Sequence, residues 1–153
     1  MARSSTKSRR VGKDGERQAR RHLEALGWYI ASTEISGMSG DDIFAQDPDG
    51  KWWSIEVKNA ATFNYKYIEQ AQNQAASRFY ETQHTLKANG PAAKILTALG
   101  VHEFTRRDFF VMWHPRGMNF TSKQWILFKR DEKGNMTASV SDIIGEENGE
   151  DQS

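Results

Sequence analysis

Two runs of strand-forming residues, Asp42-Ile43-Phe44-Ala45-Gln46 and Trp52-Trp53-Ser54-Ile55-Glu56-Val57-Lys58, flank the segment Asp47-Pro48-Asp49-Gly50. Proline and glycine in that order favour a tight turn, so the stretch predicts a β-hairpin. A hairpin constrains chemistry as well as shape, because side chains alternate faces along a strand. Glu56 and Lys58 therefore project together, while Ile55 and Val57 point the other way. Asp42 opens the partner strand, where a short hairpin could bring its carboxylate near Glu56.

Two neighbouring carboxylates repel unless a cation or a proton relieves them, and magnesium takes one or two carboxylates together with waters and phosphate oxygens. The chain contains no cysteine, which excludes disulfides, zinc-thiolate sites and thiol nucleophiles, so a hard, oxygen-preferring ion is the one to expect. An ammonium such as Lys58 beside a metal-held phosphate can stabilise developing negative charge or help position an attacking water. An isolated Glu-x-Lys is also what the wet face of an ordinary strand carries. The discriminating feature is the combination of Asp42, Glu56 and Lys58 with the helix that precedes them.

That helix is expected from Gly12 to Leu26, where small or apolar positions 12, 19, 23 and 26 fall at helical spacing and Gly27 stops the run. Glu16 lies on the same stripe, although an acid in a first helical turn also suits the macrodipole. Trp28 to Thr33 predicts a strand, and Ser36-Gly37-Met38-Ser39-Gly40 a flexible loop. A second helix is expected over Tyr65 to Lys87, with Ile68, Ala71, Ala75, Phe79 and Leu86 on one face. Pro91 begins a short third helix closed by Gly100. Two further strands follow, Asp108 to Trp113 and Gln124 to Phe128. Helix, three strands, helix, strand predicts an α/β sandwich around a mixed central sheet flanked by helices.

The 153 residues, 37% of them hydrophobic, suit one domain, here 12–144. The formal charge of +1 conceals an uneven distribution. Arg3, Lys7, Arg9, Arg10, Lys13, Arg17, Arg20 and Arg21 crowd the N-terminal part, which predicts a flexible basic arm over 1–11 that is either a phosphate-binding element or simply a solvated terminus. The last residues, 145–153, are acidic and lack apolar groups, which predicts a disordered tail. No run of about 18 apolar residues could cross a bilayer and no apolar signal region follows Met1, so no membrane partner is expected and the expected location is the cytoplasm.

The motifs Gly12-Lys13-Asp14-Gly15-Glu16-Arg17, Gly40-Asp41-Asp42-Ile43-Phe44-Ala45 and Ser54-Ile55-Glu56-Val57-Lys58-Asn59 resemble those of the PD-(D/E)XK nucleases, and among them the archaeal-type Holliday-junction resolvases. The resemblance covers roughly residues 10 to 80, and the segment from Leu86 to Arg107 is longer than compact resolvases need. Asp41 stands where the family name has proline and so competes with Asp42 for the metal role. The resemblance favours Asp42 because the family aspartate is followed directly by the apolar strand, leaving Asp41 to shape the turn. It implies a restriction-endonuclease-like αβββαβ core and a catalytic set of Glu16, Asp42, Glu56 and Lys58. Asp42, Glu56 and Glu16 would hold one or two magnesium ions, with manganese able to substitute, for hydrolysis of a DNA phosphodiester. It further implies branched DNA as substrate, a homodimer, a prokaryotic or phage-infected cell as setting, and Ser36 and Ser39 in a substrate-contacting loop, for which a plain surface loop is the alternative. Arg9, Arg10, Lys13 and Arg17 are further candidate DNA contacts on charge alone. Some relatives place a glutamine near the site, which makes Gln70 and Gln74 candidates.

His22, His84, His102 and His114 show no metal-ligand spacing, and Trp52, Trp53, Trp113 and Trp125 are expected to pack rather than stack on bases. Two other readings stay open: a repair, restriction or end-processing nuclease with the same metal chemistry, and a non-catalytic DNA-binding module on the same fold.

Overall fold

The computed structural model describes residues 15–31, 43–115 and 124–142. Among the described residues, a helix α1 over 15–25 is followed by β1 (Tyr29–Ile30), β2 (Ile43–Gln46) and β3 (Trp52–Ala60). Helices α2 (Lys66–Ala88) and α3 (Pro91–Ala98) and a 3-10 turn (Val101–Glu103) lead to β4 (Phe109–Pro115), β5 (Gln124–Arg130) and β6 (Met136–Asp142). The strands form one sheet in sequence order, antiparallel throughout except that β3 and β4 run parallel. A parallel pair needs a long crossover. Helices α2 and α3 supply it, and the protein is an α/β fold around a mixed six-stranded sheet.

Alternation along the strands sorts the core into two layers. Ile43, Ala45, Ile55, Phe110 and Met112 meet Ala19 and Leu23 of α1, whereas Phe44, Trp52, Phe109 and Val111 meet Ala71 and Ala75 of α2. The two helices thus cover opposite faces of the sheet. The segment from Leu86 to Arg107 closes the α2 side, with Leu96, Val101 and Phe104 in the core and the Trp52 indole N–H donating to the Leu99 carbonyl at 2.8 Å.

Local chemistry explains where elements stop. Trp28 N–H donates to Leu23 O and Gly27 N–H to Glu24 O, both at 3.0 Å, with Gly27 at φ 91°, which is the Schellman closure of α1. Asn89 ends α2 in the left-handed conformation, and Pro91 opens α3. At the β2–β3 turn, Asp47 Oδ1 accepts from the N–H groups of Asp49 (3.0 Å) and Lys51 (2.9 Å), and Gly50 takes φ 94°.

Strand β6 departs from the expectation, which assigned no strand after Phe128. The β5–β6 turn repeats the first one: Asp131 Oδ1 accepts from Lys133 N–H (2.9 Å) and Asn135 N–H (2.8 Å), and Gly134 has φ 89°. Of the expected strand from Trp28 to Thr33, β1 covers Tyr29–Ile30, Trp28 and Ala31 fall outside it, and Ser32 and Thr33 lie outside the described residues. The basic arm including Arg9, Arg10 and Lys13, the loop with Ser36 and Ser39, both Asp41 and Asp42, and the acidic tail 145–153 lie outside the described residues. No helix among the described residues is long and apolar enough to cross a membrane.

Candidate active site

Strand β3 lies in the middle of the sheet and carries Ser54, Glu56 and Lys58 on the face that α2 covers. Ile55 and Val57 belong to the opposite layer, with α1, as alternation requires. Glu56 is only 3% exposed, an unusual position for a carboxylate. Burying a charge without compensation costs several kcal/mol, so the partner matters. Lys58 Nζ stands 3.2 Å from Glu56 Oε2, and the same ammonium lies 5.1 Å from the centroid of the Tyr67 ring on α2. The lysine is partly exposed while the glutamate is not, so the pair forms a gradient from the interior of the sheet to the surface.

Glu56 and Lys58 are thus brought together as alternation predicts, near the end of β3 that runs on into Asn59 and Ala60. Their parallel neighbours in β4 are Val111 and Trp113. Trp113 is itself fixed there, its indole N–H donating to the Ala60 carbonyl at 2.8 Å. Among the described residues β3 pairs with β2 as far as Ile55 and with β4 from Ser54 through Ala60, so the β4 edge holds the backbone that carries Glu56 and Lys58.

Glu16 is placed differently. It occupies α1, 34% exposed at its side chain, and pairs with Arg20 one turn on at 3.6 Å. The buried stripe of α1 runs through Gly15, Ala19, His22 and Leu23, so Glu16 flanks that stripe instead of lying within it. Its helix packs on the face opposite Glu56. What ties the two regions together is Gly15: a Cβ there would stand 3.2 Å from the Asn59 Cβ, so the start of α1 abuts β3 directly beyond Lys58. Arg17 is exposed on the same helix.

Of the two candidate glutamines, Gln70 is exposed, whereas Gln74 is half-buried, with its Oε1 enclosed and lacking a hydrogen-bond partner among the described residues. The inward row of α2 reads Tyr67, Ala71, Gln74, Ala75 and Arg78. Burial of Arg78 is not among the expectations from the sequence: it is 4% exposed, and its guanidinium lies 4.4 Å from the Phe44 ring centroid. The signal that could have found it is spacing, three residues after Ala75 and seven after Ala71 on the expected apolar face. His22 is a second such residue. It is 1% exposed and its Nε2 is 2.7 Å from the Ser141 hydroxyl, which joins α1 to β6. His84 and His102 are exposed, and Trp52, Trp113 and Trp125 are buried in packing roles.

Among the described residues, no three His, Cys, Asp or Glu side chains converge as a metal-binding group. Comparison with protein-family models, curated proteins and solved structures gives no match.

Proposed function

We propose that the chain is a metal-dependent nuclease of DNA. Within that class, we infer that it is a structure-selective endonuclease of the Holliday-junction-resolving kind, acting as a homodimer whose twofold axis relates two cutting sites. The observation that carries the reading is Glu56, a carboxylate 3% exposed on a central strand, with the Lys58 ammonium 3.2 Å away on the solvent side. A purely structural ion pair gains little at such a position, since desolvation offsets the attraction. A site that must hold a cation and a phosphate has use for both charges. The element order, with the acid and lysine on the third strand and a helical crossover to a parallel fourth, supports a restriction-endonuclease-like core.

In this reading Glu56 and Asp42 hold magnesium, with Glu16 as a further ligand. In the sequence Asp42 directly precedes Ile43, whose register partner is Ile55, the neighbour of Glu56. Glu56 is the kind of donor the ion prefers, a hard oxygen fixed by a rigid strand. Magnesium would supply Lewis-acid stabilisation of the phosphate. Lys58 faces the incoming phosphate, offsets its charge and orients the attacking water. Gln74, with an enclosed oxygen and no partner among the described residues, is suited to ordering that water or the phosphate edge.

The experiment is cleavage of synthetic four-way junctions and plain duplex with magnesium, with product mapping, comparing wild type with Glu56→Gln, Lys58→Ala and Asp42→Asn. Loss of one charge-stabilising group lowers turnover by roughly 100- to 1000-fold. Paired symmetrical nicks near the junction are expected. Cutting that survives all three substitutions rejects the site, and trimming from ends reassigns the substrate.

A further inference from the structure

On the α2 side of the sheet, away from Glu56 and Lys58, a concavity of about 360 Å³ is bordered by Gln72 and Asn73 of α2, Arg106, Arg107 and Phe109 at the entry to β4, and Arg130 at the end of β5. No acidic side chain lines it. Three arginines converge there without a carboxylate within 4.0 Å of any of them among the described residues. Asp108, Asp131 and Glu132 stand with Arg107 and Arg130 around an adjoining concavity, and the first two also hold partners of their own. Asp108 pairs with Lys51 at 3.3 Å and accepts from the Thr105 N–H and hydroxyl. Asp131 accepts from the turn amides of Lys133 and Asn135.

Arg130 is the clearest case. Its Nε is buried with no hydrogen-bond partner among the described residues, and its guanidinium lies 5.5 Å from the Phe109 ring centroid. A half-buried, ring-supported guanidinium with an unused donor is poised for an oxyanion, since arginine forks match phosphate oxygens. Arg106 is oriented by donating to the Tyr80 hydroxyl at 3.2 Å. The exposed amides of Gln72 and Asn73 add neutral donors on the opposite wall.

We propose that this concavity is a subsite for the phosphodiester backbone of DNA, remote from the scissile bond. The proposal rests on the nuclease reading above and extends it to the substrate's flanking arm. Phe109 pairs with Ser54 and Trp113 with Lys58, so four strand residues separate the two places along the sheet. At about 3.3 Å per residue that is roughly 13 Å. Duplex DNA advances ~3.4 Å per base step, so the arginines meet the backbone about four steps from the cut. Both places lie on the face that α2 covers, so one duplex arm running along that helix reaches both.

The test uses the full chain and fluorescent four-way junction and duplex DNA, with affinity measured by anisotropy across a salt series without divalent ions. Cleavage with magnesium is measured in parallel, and thermal unfolding checks each variant. Arg106→Gln/Arg107→Gln, both at exposed positions, is expected to weaken binding about tenfold and to lower the slope of log affinity against log salt by about 2, for two lost phosphate contacts. Arg130→Gln is expected to weaken binding several-fold. Should Arg130→Gln not fold, the exposed pair decides the question. Unchanged affinity and slope in the double variant, with wild-type cutting that Lys58→Ala abolishes, overturns the subsite and leaves the nuclease reading standing. Weakened binding with no magnesium-dependent cutting by wild type supports backbone binding at the arginines but rejects the nuclease reading, and with it the placing of the subsite relative to a scissile bond.

Discussion

The β2–β3 and β5–β6 hairpins turn by the same device and end in opposite environments. In each, an aspartate (Asp47 or Asp131) accepts from the N–H groups two and four residues on, and a glycine (Gly50 or Gly134) takes a positive φ at the fourth position. A left-handed glycine closing such a short connection suits the twist of antiparallel strands. Beyond the turns the likeness ends. Strand β3 buries Trp52, Ser54, Ile55 and Glu56, while β6 is an edge strand exposed almost along its length, with Val140 at 55%. Turn chemistry builds a hairpin in either setting; burial decides whether the strand can hold a charge away from water, and so where a site can be built.

The sharpest way to break that contrast is to remove side chains from each strand. Trp52 is 2% exposed, stacks on Phe44 at 4.9 Å and anchors Leu99 through its indole N–H. Trp52→Ala is expected to cost about 3–5 kcal/mol in chemical denaturation. Val140→Ala is expected to stay within ~0.5 kcal/mol, as surface changes do. Comparable losses at the two positions would mean that β6 packs against something in solution.

The same contrast explains what is legible in the chain. The β2–β3 hairpin declares itself twice, by Asp47-Pro48-Asp49-Gly50 and by the apolar alternation on either side, and the strands fall where expected. Glu56 and Lys58 follow from period-two geometry alone. Strand β6 has the same turn signal in Asp131-Glu132-Lys133-Gly134, yet Met136-Thr137-Ala138-Ser139-Val140 carries no buried face to confirm it, because an edge strand needs only its backbone ladder. The placing of Glu16 on the buried stripe fails for a related reason: spacing gives the face of a helix to within a residue or so, and Glu16 falls at its margin. Arg78 is marked by its helical spacing, which gives the face but not its distant partner Phe44, and the contact that joins His22 to Ser141 spans most of the chain.

Strain at the turns offers a smaller effect that sharpens the comparison. A Cβ in the left-handed region costs about 1–2 kcal/mol per residue. Neither glycine meets backbone crowding: a Cβ at Gly50 comes no nearer than 4.0 Å to the Gln46 side chain, and one at Gly134 meets nothing within 4 Å. Gly50→Ala and Gly134→Ala are therefore expected to lose similar amounts, near ~1 kcal/mol, by denaturant midpoint. A much larger loss at Gly50 would show that the buried hairpin tolerates no adjustment of its turn, which would tie site geometry to turn geometry.

Lys129 joins the two hairpins and gives the smallest effect. It belongs to β5, its Nζ 5.1 Å from the ring centroids of both Trp53 and Phe110, with Asp47 and Lys51 of the first turn nearby. Burial pushes its pKa below the usual lysine value of 10.5; the Asp47 carboxylate opposes that shift and the Lys51 charge adds to it. A lysine whose folded pKa is lowered binds fewer protons folded than unfolded, so stability rises with pH between its folded value and 10.5. Below that interval the charged form is carried at a penalty in the fold. Lys129→Met removes the group, so the gain in stability of wild type over the variant on going from neutral to alkaline pH measures the penalty. The expected result is that Lys129→Met has its greatest advantage at neutral pH and loses part of it as the pH rises towards the usual lysine value. A difference independent of pH would show that the ammonium reaches water past Trp53, and that the two turns are electrostatically separate.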